Sequence, residues 1–293
     1  MRDGALADRP RDLLVSGHVN VDRFLRLPRF PDADRTVPVL AERVEFGGTA
    51  GHLAVAAARF GIRAGLIARV GDGFPPEFRV RLARAGIDLR GLTTLPRVPT
   101  PTAYILEDAH GGQRTLLQQG AMADGLRASR ATPSWISEYS WVHLTTGPPE
   151  IQLALEAAAR RAGVPVAVDP AQEVHYRWTA TRLRRFVTGA EILFGNRSEI
   201  DRVAERLGAG RSEDLLEHVP MVVRTEGKSG ATAFTRAGTV HVPARRPRRI
   251  RTVVGAGDHF RAGFYAAWFE GEPLPGCLEA GIRSATRALE GAG

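Results

Sequence analysis

The sequence predicts an α/β fold in which a mostly parallel central sheet is flanked by helices and accompanied by a small second β-sheet. From residue 141 onward, short apolar strands alternate regularly with helical patterns. This alternation is typical of a parallel sheet that is covered on both faces. Two earlier segments, at about 23–45 and 95–120, have a hairpin-like pattern and predict the second sheet. The 293 residues are 43% hydrophobic and 25% charged, which indicates an ordered globular chain.

Apolar runs, helix formers and chain breakers place the individual elements. A buried strand that starts at residue 12 is expected to end at Gly17, before a turn that holds Asn20 and Asp22. Glycine or proline marks the ends of the helices. Strands are predicted at 64–71, 102–108, 113–119, 141–146, 165–170, 191–196 and 220–225, and helices at 48–61, 75–87, 149–163, 181–190, 197–208 and 259–271.

Composition indicates the cellular compartment of the chain and restricts the classes of partner that it is expected to bind. The polar residues 1–12 predict a disordered leader, and 13–293 predict one α/β domain. No apolar run approaches the roughly 18 residues of a membrane span, so no membrane partner is expected. Cys277 is the single cysteine, which excludes an intramolecular disulfide and favours a reducing cytoplasm. The net charge of +8 is scattered among acids, except for the arginine cluster at 245–251, and predicts no nucleic-acid partner.

The stretch TVVGAGDHFRAGF (252–264) combines a glycine turn, the start of a helix and an acid. The first N–H groups of a helix have no backbone partner, and glycines let a phosphate approach them. A carboxylate beside such an anion hole can take the proton from an attacking hydroxyl. Gly255, Ala256, Gly257 and Asp258 therefore predict a phosphoryl-transfer site. The alternative is a helix that Asp258 merely caps.

Two better-known phosphate motifs are excluded by their spacing. The dinucleotide fingerprint requires glycine where Phe260 stands, and the P-loop requires glycine where Val222 stands. A different turn, TEGKSG, follows a predicted strand. Its Gly227, Lys228 and Gly230 could meet a nucleotide phosphate, or they could form a simple hairpin turn.

Three further polar groups stand at predicted element ends. In GNRSE, the spacing of Asn196 and Glu199 suits hydrated Mg²⁺, although the same spacing forms a helix cap. In FGGTAGH (46–52), paired glycines precede a helix, so a ligand could lie close to the backbone. Asp22 could hold two neighbouring hydroxyls of a sugar, or it could be a turn aspartate.

In this order, the motifs resemble those of the PfkB family, the ribokinase-like carbohydrate and nucleoside kinases. The resemblance covers roughly residues 13–290. GHVNVD resembles the first strand with its sugar-binding Asp, FGGTAGHLAVAAARFG the N-terminal signature and GAGDHFRAGF the C-terminal one. Among members, GHVNVD, QQGAM, HLTTGPPE, VAVDPAQE and GNRSE are most similar to archaeal broad-specificity nucleoside kinases. Some of these also phosphorylate fructose 6-phosphate.

The resemblance implies an ATP-dependent phosphotransferase that uses Mg²⁺. Asp258 would be the base for a primary hydroxyl, and the N–H groups of residues 255–257 would steady the γ-phosphoryl group. The second sheet would be a lid that excludes water, and in this family it often forms a homodimer contact. The acceptor contacts would be Asp22, Gly47, Gly48, His52, Gln118 and Asp169. The ATP contacts would be Asn196, Thr225, Gly227, Lys228, Gly230, Gly255 and Gly257, with Asn196 and Glu199 organising Mg²⁺ through water.

Three departures from the family pattern modify these expectations. His52 stands where the family usually has Asn, which changes the sugar contact. Thr252 stands where Asp is usual, in a loop that carries a monovalent-cation site in some members, and this argues against a K⁺ requirement. The chain stops at LEGAG, where most members continue with another helix, so part of the wall near the adenine is expected to be missing.

The preferred function is transfer of the γ-phosphate of ATP to the 5′-hydroxyl of a nucleoside, and three alternatives stay open. A 6-phosphofructokinase or other sugar kinase is the first, and Arg23, Arg97 and Arg114 are candidates for its second phosphate. A non-catalytic sugar or nucleotide sensor is the second, but the retained Asp258 argues against it. A nucleic-acid binder is the third, and it predicts salt-sensitive binding to any polyanion.

Overall fold

The computed structural model describes residues 12–125, 133–251 and 253–291. The strands are β1 (Asp12–Ser16), β2 (Asn20–Arg26), β3 (Ala41–Gly47), β4 (Arg63–Asp72), β5 (Asp88–Pro99), β6 (Thr102–Glu107), β7 (Gln113–Gln118), β8 (Trp141–Leu144), β9 (Val166–Val168), β10 (Ile192–Asn196), β11 (Met221–Thr225), β12 (Ala231–Thr235) and β13 (Gly238–Val242). The helices are α1 (Thr49–Arg59), α2 (Pro76–Arg84), α3 (Pro149–Arg161), α4 (Ala180–Thr188), α5 (Arg197–Leu207), α6 (Ala256–Phe269) and α7 (Leu274–Leu289). Apart from Asp12, the predicted leader lies outside the described residues, and so does Thr252.

A nine-stranded sheet forms the centre of the molecule, in the order β13-β12-β11-β10-β9-β8-β1-β4-β5. Neighbouring strands from β11 to β5 pair in parallel, and only the edge pairs β11–β12 and β12–β13 are antiparallel. Successive side chains of a strand point to opposite faces. In β1, Leu13 and Val15 pack with α1, α6 and α7, whereas Leu14 packs with α3, α4 and α5. The predicted α/β class is confirmed.

The second sheet has four strands in the order β3-β2-β6-β7. Its outer pairs are antiparallel and its central pair, β2–β6, is parallel. Phe24, Ala103 and Ile105 form its small core, against which Val254 packs. The segments predicted at 23–45 and 95–120 contribute to this sheet, but β2 begins earlier, at Asn20, and the prediction is wrong for residues 95–99, which belong to β5 of the large sheet.

The prediction that Asn20 and Asp22 lie in a turn is wrong, because both residues belong to β2. The chain leaves the large sheet after Ser16 and enters the second sheet only three residues later, through Gly17, His18 and Val19. Valines on either side of Asn20 favour an extended chain at once. Asp22 therefore belongs to the second sheet and not to a turn at the end of the large one.

The carboxyl ends of the parallel strands meet along one edge of the large sheet. The order in which the chain adds strands to the sheet reverses between β1 and β8. Strands β4 and β5 lie on one side of β1, and β8–β11 lie on the other. Ligands of open α/β sheets bind at such a reversal, outside the carboxyl ends of the strands. Within the described ranges, no helix is long and apolar enough to span a bilayer.

Candidate active site

The start of α6 is a glycine turn with no side-chain cap. Gly255 occupies the N-cap position in the left-handed conformation, with φ 76°, and no side chain accepts a hydrogen bond from the first turn. Asp258 therefore stands at the third helical position without capping, which contradicts the alternative that it only caps the helix. The free N–H groups of this turn and the helix dipole make it suited to hold an anion.

The carboxyl group of Asp258 lies in a buried cluster of charges. Its side chain is close to Arg261, whose Nη1 lies 3.4 Å from Oδ1. Arg261 also forms an ion pair with Asp169, which is fully buried. The pKa of Asp258 is raised to about 8, mainly by burial and also by the negative charges of Asp169, Glu199 and Asp22, against the lowering effect of Arg261. The basic form of Asp258 therefore becomes more abundant as the pH rises toward 8.

Asp22 and two glycines form a second buried feature, on the second sheet. One carboxylate oxygen of Asp22 is buried without a partner among the described residues. A side chain on Gly47 would overlap this carboxyl group, so only glycine leaves room for it. Gly48 has φ 95° and leaves no room for a side chain. The pKa of Asp22 is raised to about 7, mainly by burial and also by the negative charge of Glu45. Asn20, which sequence analysis did not select, faces Gly47 across the strands, and its Oδ1 is buried and unpartnered too.

His52, in the second turn of α1, links the second sheet to the α6 turn. Its ring packs edge-on against Phe46 at 5.8 Å, and a Cβ on Gly255 would lie 3.5 Å from the ring. Burial lowers the pKa of His52 to about 4, helped by His259 and Arg81, so its imidazole is neutral near pH 7. Its Nε2 is buried and has no partner in the described chain.

A cavity of about 390 Å³ lies beside these groups. Asp22, Phe46, His52 and His259 are among its lining residues. Asp258 does not line it, because the Asp258 side chain lies against Arg261, next to Asp169. The two predicted acceptor contacts, Asp22 and His52, therefore share a cavity that the Asp258 side chain does not line.

Gln118 is not brought together with the other predicted acceptor residues. It is exposed at the end of β7, where its Oε1 accepts a 3.4 Å hydrogen bond from Tyr104. The next residue, Gln119, lies against the edge of the large sheet instead. Its Oε1 is 2.8 Å from Nε2 of His18 and 3.3 Å from Nη1 of Arg177. Sequence analysis missed Gln119, because neighbouring residues of a strand face opposite ways and register cannot be read from QQ.

Asn196 and Thr225 lie side by side, at the ends of β10 and β11. Oδ1 of Asn196 accepts a 3.0 Å hydrogen bond from the N–H of Glu199, and Oε2 of Glu199 accepts a 2.8 Å bond from the N–H of Asn196. The alternative prediction of a helix cap is therefore what this pair forms. In the part of the chain that the structure describes, no three acidic, His or Cys side chains converge to hold a metal directly. Mg²⁺ could be held here mainly through water and phosphate oxygens.

The turn after β11 is open to a ligand on one side. Gly227 is exposed with φ 56°, and no atom lies within 4 Å of where its Cβ would be. Lys228 is also exposed. Gly230 has φ 107° and packs so closely on the backbone oxygen of Val242 that no side chain fits. The turn therefore combines an anchored end with a bare, positively charged tip.

Glu226 holds this turn in place, and sequence analysis missed it. Its Oε1 accepts a 2.8 Å hydrogen bond from Nε of Arg224 and one of 3.2 Å from Thr232. Arg197, at the start of α5, lies 3.3 Å from Oε2. This carboxylate thereby joins the turn to the start of the neighbouring helix. The only sequence signal was an acid between two basic residues.

Comparisons with known proteins identify the family of the chain. The pfkB family carbohydrate kinase model matches residues 10–293. A nucleoside kinase of Methanothermobacter thermautotrophicus is 32% identical over 91% of this chain and 85% of its own length. An ATP-dependent ribose-1-phosphate kinase of Halopiger xanaduensis is 31% identical over 91% of this chain and 88% of its own.

Structural comparison leads to the same family. The crystal structure of the Methanocaldococcus jannaschii nucleoside kinase, an archaeal member of the ribokinase family, superposes with a TM-score of 0.85. It is 25% identical, and the match covers 96% of this chain and 92% of that one. The predicted resemblance is confirmed, and the ribokinase-like fold is shared. The chain therefore belongs to the pfkB family of carbohydrate kinases, and it is an ATP-dependent kinase.

Proposed function

We propose that this protein transfers the γ-phosphoryl group of ATP to the primary (5′) hydroxyl of a nucleoside. The observation that carries the proposal is the uncapped start of α6, where the buried Asp258 stands beside a bare glycine turn. Relatives named as nucleoside kinases support the choice of acceptor. A sugar kinase on the same fold is the alternative.

Asp258 has the position and the protonation range of a general base. The proton of the acceptor hydroxyl moves to its carboxylate as the hydroxyl oxygen attacks the γ-phosphorus and the bond to the β-phosphate oxygen breaks, which releases ADP. The N–H groups of Gly255, Ala256 and Gly257 hold the charge that grows on the transferring phosphoryl oxygens. The low exposure of Asp258, 7%, keeps competing water away from the proton acceptor.

The acceptor sugar would be held by Asp22 and the glycines beside it. The unpartnered oxygen of Asp22 can accept hydrogen bonds from two neighbouring ribose hydroxyls, and Asn20 can bind on the same strand. Gly47 and Gly48 let the sugar lie close to the backbone. The neutral imidazole of His52 would contact the sugar in place of the side-chain amide of the Asn that is usual in the family. Asp169 would act indirectly, through its ion pair with Arg261.

The donor would lie along the ends of β10 and β11. Thr225 is half-buried beside Asn196, and the open tip with Gly227 and Lys228 can meet phosphate oxygens. Gly230 anchors that tip. Asn196 and Glu199 would hold Mg²⁺ through its waters, and the ion would neutralise charge on the phosphates.

The three arginines considered for fructose 6-phosphate have other partners or roles. Arg23 lies 2.6 Å from Glu42, in an exposed ion pair. The guanidinium of Arg114 lies over the ring of Phe30, at 4.3 Å. Arg97 has φ 62° and donates its backbone N–H to Asp72. The side-chain contacts of Arg23 and Arg114 favour a nucleoside over a sugar that already carries a phosphate.

We also propose that the second sheet is the lid of the site and the contact of a homodimer. Two exposed apolar side chains support this: Val44 and Leu116 are 45% and 60% exposed and lie in one register row of the sheet, so they share a face. Burying such a patch between two copies would stabilise a dimer. Size-exclusion chromatography with light scattering tests it, and Leu116→Glu should yield monomers. A cytoplasmic location remains a prediction.

The test of the function is an ADP-release assay with ATP and Mg²⁺. The acceptors are adenosine, inosine, cytidine, ribose, ribose 1-phosphate, fructose and fructose 6-phosphate. The highest kcat/KM is expected for a nucleoside, with no turnover after chelation by EDTA. Preference for a sugar would replace the proposed acceptor, and no turnover with any acceptor would overturn the kinase proposal in this form.

A further inference from the structure

We propose that Arg261 is a positioning residue for phosphoryl transfer: held by Asp169, its guanidinium fixes the Asp258 carboxylate beside the Gly255–Gly257 turn. The proposal rests on the proposed role of Asp258 as the base. It assigns a function to a buried arginine of helix α6 that stands between Phe260 and the buried apolar stretch that starts at Ala262.

The geometry ties the helix to the sheet through one side chain. Arg261 follows Asp258 by three positions, so both side chains leave the same face of α6. Nη1 of Arg261 lies 3.4 Å from Oδ1 of Asp258, and its Nη2 forms the ion pair with Asp169. Asp169 stands at the end of β9, and its Oδ1 accepts a 3.0 Å hydrogen bond from the N–H of Ala171. The guanidinium therefore bridges two elements whose spacing is fixed.

Gly257 makes room for this bridge. A Cβ at position 257 would lie 3.0 Å from Nη1 of Arg261, closer than packed side chains normally come. The absence of a side chain at this position leaves room both for a phosphate and for the guanidinium of Arg261. The planar fork of arginine contacts two carboxylates in fixed directions, whereas lysine presents a single point charge.

The charges around Asp258 give the arginine a second effect. Acting on the carboxyl are Arg261 of α6, Asp169 after β9, Glu199 of α5 and Asp22 of β2. Of these charged groups, which all lie in the described part of the chain, Arg261 alone is positive. It opposes three acids and the loss of hydration, both of which favour the protonated carboxyl.

Two further polar side chains lie near the guanidinium of Arg261. There the side chains of His143 and Tyr265 are fully buried, with Nδ1 of His143 2.8 Å from the Tyr265 hydroxyl. Burial lowers the pKa of His143 well below its usual value, so this ring is neutral. Asp169 is thus the partner that makes a buried arginine tolerable, since an unpaired buried charge is strongly unfavourable.

The experiment compares Arg261→Met and Arg261→Lys with the wild type, with the nucleoside that the acceptor panel identifies. Measured are kcat, the pH profile of kcat/KM, and thermal unfolding as a check of folding. Arg283→Met is the matched control, because Arg283 is an exposed arginine of α7, 47% exposed and paired only with Glu279 among the described residues.

We expect Arg261→Met to lower kcat and to move the acid limb of the profile upward by about one pH unit or more, since an opposite charge at this range shifts a pKa by that amount. Arg261→Lys should restore the limb but keep a kcat about tenfold or more below wild type, because misplacement of a catalytic group is costly. The control should match the wild type.

Wild-type kcat and pH profile in a folded Arg261→Met variant would overturn the proposal. If that variant does not fold, Arg261→Lys decides: a profile and kcat equal to wild type overturn it, and a lowered kcat supports it. Asp258→Asn separates the two proposals. If it stays active, Asp258 is not the base; if it is inactive while Arg261→Met behaves like wild type, only the role of Arg261 is wrong.

Discussion

The helices α5 and α6 both carry an acid at their third position, yet the two carboxylates have different surroundings. At α5, Asn196 and Glu199 each accept a hydrogen bond from the other's backbone N–H. At α6, the N-cap is Gly255, which has no side chain, and Asp258 makes no cap hydrogen bond. The residue at the N-cap therefore decides whether the acid satisfies its own helix or remains available to a ligand.

This difference also has an energetic side. The cap at α5 stabilises the helix, typically by about 1 kcal/mol. At α6 the carboxyl is buried, and its raised pKa means that the folded state favours the protonated form. Its stabilising contribution is therefore complete only at low pH and is lost as the pH rises through about 8. Such a cost at one helix end is typical of active sites, where stability and activity are in conflict.

The largest effect is expected from removing the charge at α6. Asp258→Asn should lower kcat by about 10²–10⁴, because it removes the proposed general base while keeping the shape of the side chain. Initial rates with ATP and the preferred nucleoside measure this. Glu279→Gln, at an exposed acid of α7, is the control. If a folded Asp258→Asn protein keeps turnover within a few-fold of wild type, the uncapped acid of α6 has no catalytic role.

Giving α6 a side chain at its N-cap should make it resemble α5. Gly255→Asn places an amide beside the turn, in a left-handed conformation that Asn tolerates. It should lower kcat by about 10², because the phosphoryl position shifts. Gly61→Asn is a matched control, since Gly61 has φ 75° and open space around it. Equal rates for the two variants would argue against an anion hole at Gly255.

The pH dependence of wild-type activity tests whether the buried acid of α6 must be ionised for catalysis. With the pKa of Asp258 at about 8, kcat/KM should rise with pH, by roughly 50-fold between pH 6 and pH 8. The value of kcat/KM should increase with pH because only the ionised carboxylate accepts a proton, and the ionised fraction grows toward pH 8. Steady-state rates in buffers of constant ionic strength test it. A flat profile over this range would mean that Asp258 is already ionised or is not the base.

The smallest effect is expected at α5. Asn196→Ala removes the cap and should cost about 1 kcal/mol, or about 2–4 °C in Tm. Asn196→Ser keeps an acceptor oxygen and should restore most of the Tm. If the serine variant has normal stability but needs more Mg²⁺, the amide also serves the ion. An unchanged Tm in the alanine variant would contradict the cap.

Local signals predicted much of the fold and the positions of the motifs. Alternating strands and helices from β8 to α5 stand where the sequence pattern put them, because glycine, proline and apolar periodicity act over a few residues. Strand β5 and helix α7 were not predicted, since their apolar positions are interrupted by polar residues. Asn20 and Asp22 were placed in a turn because these polar residues outweighed the neighbouring valines, Val19 and Val21.

Long-range contacts limited the prediction of the site. The Arg261–Asp169 pair joins residues 92 positions apart (261 − 169), and nothing local indicates that the two meet. The one hint was a charge in the apolar stretch HFRAGF. For Asn196 and Glu199 the sequence supported both a cap and a metal role, and only geometry showed that the cap forms.

The three residues between β1 and β2 bear on how this protein can be recombined with its relatives. The carbonyl of His18 accepts hydrogen bonds from Ala50 and Gly51 at 3.1 and 3.3 Å, and a side chain on Gly17 would strike Thr145. The second sheet is thus joined to the large one at a point pinned by the start of α1. A chimera that exchanges this sheet must transplant residues 17–19 together with the first turn of α1, or the grafted sheet will be displaced relative to Asp258, the proposed base.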